Sequence, residues 1–90
     1  MAVCLVHDAP GVTRAQYEQV HDEVTPGNRP PPGLLHHAAG PTEDGWCLVE
    51  IWESQQALGS FFQEKLQAAL QRAGIGGQPR IFEVVNTMQP

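Results

Sequence analysis

The feature that most constrains the fold of this sequence is a strand pattern that leads directly into an amphipathic helix. Residues Trp46–Glu53 are rich in the aromatic and β-branched residues that are typical of strands. Ser54 follows as an N-cap, and apolar residues at helical spacing then run from Leu58 to Ala73 before the stop at Gly74. The sequence therefore predicts a strand followed by a helix that packs its apolar stripe against a sheet.

Six elements are predicted along the chain, in the order β-α-β-β-α-β. Thr13 and Gln16 form a capping-box pattern at the start of the first helix, and the proline-rich segment 25–33 ends it. Turn residues 40–45 join the second and third strands as a hairpin. The strands are expected at Val3–His7, Leu34–Ala39, Trp46–Glu53 and Arg80–Asn86. This order indicates a ferredoxin-like α+β fold with a four-stranded antiparallel sheet, as a single domain over residues 1–90.

Composition excludes several classes of partner. The chain has 5 Lys and Arg against 10 Asp and Glu, a net charge of −5, so nucleic acid is not expected to bind. No apolar run has the length of a membrane span, and the N-terminus lacks the pattern of a signal peptide. Cys4 and Cys47 lie in apolar stretches without a C-x-x-C spacing and are expected to be reduced thiols. We therefore expect a cytoplasmic protein with no membrane partner.

The third strand predicts how the two faces of the sheet are used. Alternate residues point to opposite faces, and the small apolar set is expected beneath the helices: Cys47, Val49 and Ile51. The other set is expected on the face without helices: Trp46, Leu48, Glu50 and Trp52. Such a patch would expose on the order of several hundred Å² of apolar surface. We therefore predict a homodimer that packs sheet on sheet, the alternative being a cover formed by a loop or the C-terminal tail.

Three segments resemble a known superfamily, the dimeric α/β-barrel proteins. They are the second strand with its flanks (residues 33–41), Asp44-Gly-Trp46, and the passage from Glu50 to Ser54 into the helix. With the element order, the resemblance covers essentially the whole chain and is strongest to small antibiotic-biosynthesis monooxygenase-like proteins. It implies that two sheets form a barrel, with a pocket in each protomer that Trp52 lines.

The same resemblance implies a range of activities, because members include cofactor-independent oxygenases of polyketide-like aromatics, haem-degrading enzymes, isomerases and cyclases. Haem-degrading relatives carry a histidine late in the second helix, whereas residues 68–72 contain none here. Many oxygenase-like relatives carry a histidine early in that helix, where this chain has Phe61. Haem degradation is therefore disfavoured, and assignment to the oxygenases is weakened.

His37 and Glu50 are the residues predicted to carry catalysis. His36 and His37 are adjacent on a strand, so their side chains point to opposite faces and cannot bind one metal together. His37 matches the histidine position of the resembling subgroup and could act as a general base. Glu50 could trade protons or pair with His37 or Arg80. The alternatives are a structural histidine in the sheet or dimer seam, and an ion pair at the interface.

The remaining candidates would bind substrate. Trp46 and Trp52 could stack on a planar ligand, with Leu48 and His36 beside them, although both tryptophans could equally be interface core. His21 lies on the apolar stripe of the first helix and is expected at the core or its rim. No metal and no cofactor are expected.

Three functions are consistent with these residues. The first is a small cofactor-independent enzyme that acts on a hydrophobic, aromatic or polyketide-like molecule by monooxygenation, cyclisation or isomerisation. The second is a non-catalytic dimeric module that binds a small apolar ligand or a partner protein. The third is metal binding by His21, His36 or His37 with nearby carboxylates.

Overall fold

Four antiparallel strands form one sheet in the computed structural model, which describes residues 1–90. They are β1 (Val3–Pro10), β2 (Leu34–Pro41), β3 (Gly45–Trp52) and β4 (Arg80–Glu83), hydrogen-bonded in the order β2-β3-β1-β4. The helical segments are α1 (Arg14–Val24), α2 (Gln55–Phe61) and α3 (Gln67–Ala73). This arrangement confirms the ferredoxin-like α+β fold. No helix is long and apolar enough to cross a membrane.

Both helices begin at the predicted caps. Thr13 and Gln16 form the reciprocal capping box at the start of α1. The Ser54 hydroxyl accepts a hydrogen bond of 3.0 Å from the Ala57 amide at the start of α2. A π-helical turn (Phe62–Leu66) joins α2 to α3, and Gly74 in the left-handed conformation ends the run. The predicted second helix is therefore one helical run with a widened turn at its middle.

Two contacts tie α1 to α3 and so fix α1 over the sheet. The Gln16 side-chain amide donates a 3.1 Å hydrogen bond to the Ala73 carbonyl, and Arg72 forms an ion pair with Glu23. The apolar core lies between this helical layer and the sheet, and it consists of Val3, Leu5, Val20, Val24, Trp52, Leu58, Phe61 and Ala69. Trp52 is fully buried, with its ring centroid 5.3 Å from that of Phe61.

The predicted assignment of the two sheet faces is wrong. Trp52 packs in the core with residues of both helices, and Trp46 is also buried, so their set points toward the helices. The set with Cys47, Val49 and Ile51 points to the side without helices. The reason is volume. The space between the layers holds the indole ring of Trp52, which packs against Phe61 where Val20 and Ala69 leave room for it.

The face without helices is nevertheless apolar. Directly paired residues on neighbouring strands share a face, so the register identifies its members. Its polar members are Asp8, His36 and Arg80. We call its apolar members the open face: Cys4, Val6, Ala38, Cys47, Val49, Ile51 and Phe82. Val6, Val49 and Ile51 are only half-buried, and Phe82 is exposed. An uncovered apolar face therefore exists, although smaller residues than the expected indoles form it.

The strand ends follow from pairing. The last strand was expected to reach Asn86 but ends at Glu83, because its only partner is β1, whose first residue Val3 pairs with Glu83. The first strand is longer than expected, because its pairing with β3 continues to Pro10 opposite Gly45. Gly45 is required there, since a Cβ atom would lie 2.3 Å from the Ala9 carbonyl oxygen.

Candidate active site

A cavity of about 840 Å³ lies between the helices and the sheet face that they cover. This volume is within the range of roughly 300–1,000 Å³ that small-molecule sites occupy. Residues from both layers line it, and they include Tyr17, His37, Trp46, Leu48, Glu50 and Phe61. The cavity is therefore within one chain, and it brings together most of the residues predicted for the site.

Glu50 and His37 form a pair at the cavity wall. They lie opposite each other in the register of β2 and β3, and Oε2 of Glu50 is 2.7 Å from Nδ1 of His37. Only 10% of the Glu50 side chain and 25% of the His37 side chain are exposed. The other carboxylate oxygen accepts a 3.0 Å hydrogen bond from Nε1 of Trp52. Both oxygens of the buried carboxyl group thus accept N–H bonds, which is how a carboxylate is held in an apolar setting.

Glu50 pairs with one of its two expected partners. His37 pairs with it, whereas Arg80 does not, because Arg80 pairs with Val6 and so belongs to the opposite face. Trp52 does not line the cavity, since its ring is fully buried. The structure gives its indole a different contact from the ligand that was expected, the hydrogen bond that it donates to the Glu50 carboxylate. His36 pairs with Ile51, and it is exposed although it contributes to the cavity rim.

Tyr17 is the residue that sequence reasoning missed. Its hydroxyl oxygen lies 2.7 Å from Nε2 of His37. A carboxylate can only accept, so the neutral imidazole carries its proton on Nδ1 and donates it to Glu50. Nε2 then has a free lone pair and accepts from the Tyr17 hydroxyl. A chain of hydrogen bonds therefore runs from Tyr17 through His37 to Glu50.

The Tyr17 phenol stays protonated in this setting. Burial raises the pKa of Tyr17, and the negative charge of Glu50 raises it further, because both disfavour the phenolate. At neutral pH the hydroxyl group is therefore a hydrogen-bond donor, as the contact with His37 requires.

Aromatic rings hold Tyr17 in place. Its ring stacks on His21 at a centroid distance of 5.5 Å and on Trp46 at 5.2 Å. His21 is itself fixed, with Nε2 2.9 Å from the side-chain oxygen of Asn28 and Nδ1 3.1 Å from the Thr25 hydroxyl. His21 is thus a partnered residue of the cavity wall. Trp46 differs, because its Nε1 is buried without a hydrogen-bond partner.

Geometry gives no basis for the metal hypothesis. No group of three or more His, Cys, Asp or Glu side chains is placed to hold a metal ion. The His21 and His37 rings lie 5.9 Å apart, but hydrogen bonds already engage their nitrogen atoms.

No model of a known protein family matches the sequence, and no curated protein matches it. Solved structures do match. A variant of SnoaB, a cofactor-independent oxygenase from Streptomyces nogalater, aligns with a TM-score of 0.70 at 10% identity, over 99% of this chain and 97% of that one. A candidate antibiotic biosynthesis monooxygenase from Chloroflexus aurantiacus J-10-fl also has a TM-score of 0.70, at 15% identity over 99% and 98% of the two chains.

A third similar structure is a dimeric ferredoxin-like protein of unknown function from Thermobifida fusca YX. It has a TM-score of 0.63 and 17% identity, over 91% of this chain and 88% of that one. At these identities the similarity establishes the fold. The chain therefore has the ferredoxin-like fold of the antibiotic-biosynthesis monooxygenase-like proteins, as its sequence predicted.

Proposed function

We propose that the protein is a cofactor-independent, monooxygenase-like enzyme that removes a proton from a hydrophobic aromatic small molecule. The observation that carries the proposal is the partly buried His37–Glu50 pair at the wall of a ligand-sized cavity. Proton removal is the first step shared by oxygenation and by isomerisation or cyclisation of activated aromatic ketones and phenols. The similarity of fold to a cofactor-independent oxygenase supports the oxygenation branch.

His37 is the proton acceptor in this scheme. When Nε2 gains a proton, the ring becomes an imidazolium whose positive charge lies beside the Glu50 carboxylate. Glu50 orients the ring and stabilises that charge, and Trp52 orients Glu50 in turn. The pair thus has one role for each member, as the sequence-based hypothesis proposed.

Oxygenation of such a substrate needs no reduced cofactor. Loss of a proton from a methylene group gives a carbanion that dioxygen can oxidise. The overall reaction, CH₂ + O₂ → C=O + H₂O, passes four electrons from carbon to dioxygen, with one oxygen atom in the product and the other in water. In isomerisation the proton instead returns to a different atom, and no oxidant is consumed.

The cavity wall favours a planar apolar substrate. Tyr17, Trp46 and Phe61 supply aromatic surface, and Leu48 supplies aliphatic surface. At about 840 Å³ the cavity can hold a molecule of several fused rings. Polyketide-like aromatics match this description.

A homodimer is part of the proposal. The open face is apolar and has no cover within the chain, and a second copy would cover it with the same surface, giving a dimeric α/β barrel. The similar Thermobifida fusca protein is described as dimeric. We also place the protein in the cytoplasm, with support from the free thiols of Cys4 and Cys47.

Isotopic dioxygen tests the proposed function. The purified protein would be incubated under ¹⁸O₂ with hydrophobic carbon acids and phenols such as 2-tetralone and 1-naphthol, and the products analysed by mass spectrometry. One ¹⁸O atom in the product, lost in His37→Gln and retained in the exposed control Glu83→Gln, supports oxygenation. An isomer of the substrate without ¹⁸O supports isomerisation or cyclisation instead. Binding without any conversion across the set would contradict catalysis and favour the ligand-binding module.

A further inference from the structure

We propose that Tyr17 is the catalytic residue that takes the proton from the substrate, and that His37 and Glu50 act through it. This inference rests on the proposed function and changes which residue meets the substrate. The sequence-based hypothesis gave that task to His37.

Both nitrogens of His37 are already engaged. Nδ1 lies 2.7 Å from Glu50 and Nε2 lies 2.7 Å from the Tyr17 hydroxyl. A substrate can reach Nε2 directly only if it displaces Tyr17. Displacement would leave a half-buried phenol hydroxyl without its partner, which is unfavourable. Tyr17 is a lining residue of the same cavity, and its hydroxyl oxygen has a second lone pair, so a substrate in the cavity can meet that oxygen with the existing bonds intact.

Two protons move in this relay. The substrate C–H or O–H proton passes to the Tyr17 oxygen while the phenol proton passes to Nε2 of His37. The products are a substrate anion, a neutral phenol and an imidazolium that is paired with the Glu50 carboxylate. No electrons are exchanged with the protein, and no free phenolate forms.

The surroundings of Tyr17 suit this role. Burial and the Glu50 charge raise the pKa of Tyr17, so a relay that avoids the phenolate is the accessible route for proton transfer. Stacking on His21 and Trp46 holds the ring, and the attachment of α1 to α3 holds the backbone that carries it. The hydroxyl is therefore fixed relative to both the cavity and His37.

Hydrogen–deuterium exchange of 2-tetralone tests the relay without any oxidation. The α-hydrogens of this ketone would be followed by NMR in D₂O under nitrogen, with wild type, Tyr17→Phe, His37→Gln and the double variant. Phenylalanine keeps the stacked ring and removes only the hydroxyl. We expect exchange by Tyr17→Phe to fall about 100-fold, the scale of one general acid–base group, while the Kd for 2-tetralone changes less than threefold. The double variant should be no slower than either single variant, because both interrupt one relay.

Three other results would contradict the relay through Tyr17. A fall of less than tenfold in Tyr17→Phe, with His37→Gln inactive, would overturn the relay and leave His37 as the direct base, so that the proposed function stands. A loss of activity that comes with a loss of 2-tetralone binding or of the folded circular dichroism spectrum would assign Tyr17 a structural role. Exchange by the wild type no faster than in buffer would overturn the relay and the proposed function together.

Discussion

Glu50 lies directly opposite His37 in the pairing of β2 with β3, and Oε2 of its carboxylate is 2.7 Å from Nδ1 of that ring. The strand register therefore places beside Nδ1 the carboxylate that favours the proton on that nitrogen. Because Trp52 lies two residues along on the same face, its indole donates to the other oxygen of the carboxylate. The Glu50 carboxylate therefore contacts both the buried Trp52 of the core and the proposed proton acceptor His37.

The single tyrosine of the chain makes the Glu50 charge measurable. Glu50→Gln removes the negative charge that raises the pKa of Tyr17, so that pKa should fall. It should stay above the ordinary value of 10.0, because burial is the larger cause and persists. Absorbance of the phenolate near 295 nm, with circular dichroism at each pH, gives the titration. An unchanged or raised pKa in Glu50→Gln would contradict the arrangement.

The same shift predicts how stability depends on pH. The folded state holds the Tyr17 proton more tightly than the unfolded state, so folding is favoured at pH below the unfolded pKa of about 10. As pH rises from there through the raised folded pKa, this contribution is lost. Tyr17→Phe should therefore lose less stability than wild type between neutral pH and pH above 10, in urea unfolding at matched protein concentration.

The two buried tryptophans should differ in their contribution to stability. Trp52→Phe removes a fully buried ring and leaves one oxygen of Glu50 without its donor, so the free energy of unfolding should fall by about 3 kcal/mol. Trp46→Phe is the matched control, because it removes an indole nitrogen that has no partner, and about 1 kcal/mol is expected. Urea unfolding followed by circular dichroism measures both. Equal losses would argue against a structural hydrogen bond from Trp52.

Gly45 should tolerate no side chain. A Cβ atom there would meet the carbonyl oxygen of Ala9 at 2.3 Å, and backbone cannot move aside cheaply. Gly45→Ala should cost about 3 kcal/mol or more of unfolding free energy. Gly40→Ala, where nothing lies within 4 Å, should change it by less than about 1 kcal/mol. Similar losses in the two variants would show that the β1–β3 pairing near Gly45 differs from the one described.

The open face should govern assembly. We expect a mass of twice 9.8 kDa in solution, and a monomer for Val49→Lys, because an ammonium group at the centre of an apolar interface loses its hydration. Phe62→Lys, on the helical layer, is the control and should stay dimeric. Light scattering after size-exclusion chromatography measures both. A monomeric wild type would remove the dimer from the proposal.

Local signals in the sequence predicted most of the fold. The caps at Thr13 and Ser54 and the stop at Gly74 act through neighbours in the chain, and all three are where the sequence indicated. Which side chains of the third strand face the helices could not be predicted in the same way. Alternation separates two sets of residues, but which set meets the helices depends on the space between layers, and the bulky indoles occupy it.

The contacts of the site could also be predicted only in part from the sequence. The sequence suggested two partners for Glu50, His37 and Arg80. The strand register places His37 opposite Glu50 and Arg80 on the other face. Tyr17 gave a weaker signal, as a lone tyrosine on an apolar helical stripe. Its contact with His37 depends on how α1 crosses the sheet, which no spacing along the chain encodes.

The most direct test of the central claim is the rate at which Glu50→Gln exchanges the α-hydrogens of 2-tetralone in D₂O. Without the carboxylate charge an imidazolium at His37 loses its partner, so we expect a rate about 100-fold below that of the exposed control Glu83→Gln, with both variants folded. Equal exchange rates in Glu50→Gln and Glu83→Gln would contradict proton acceptance by the His37–Glu50 pair.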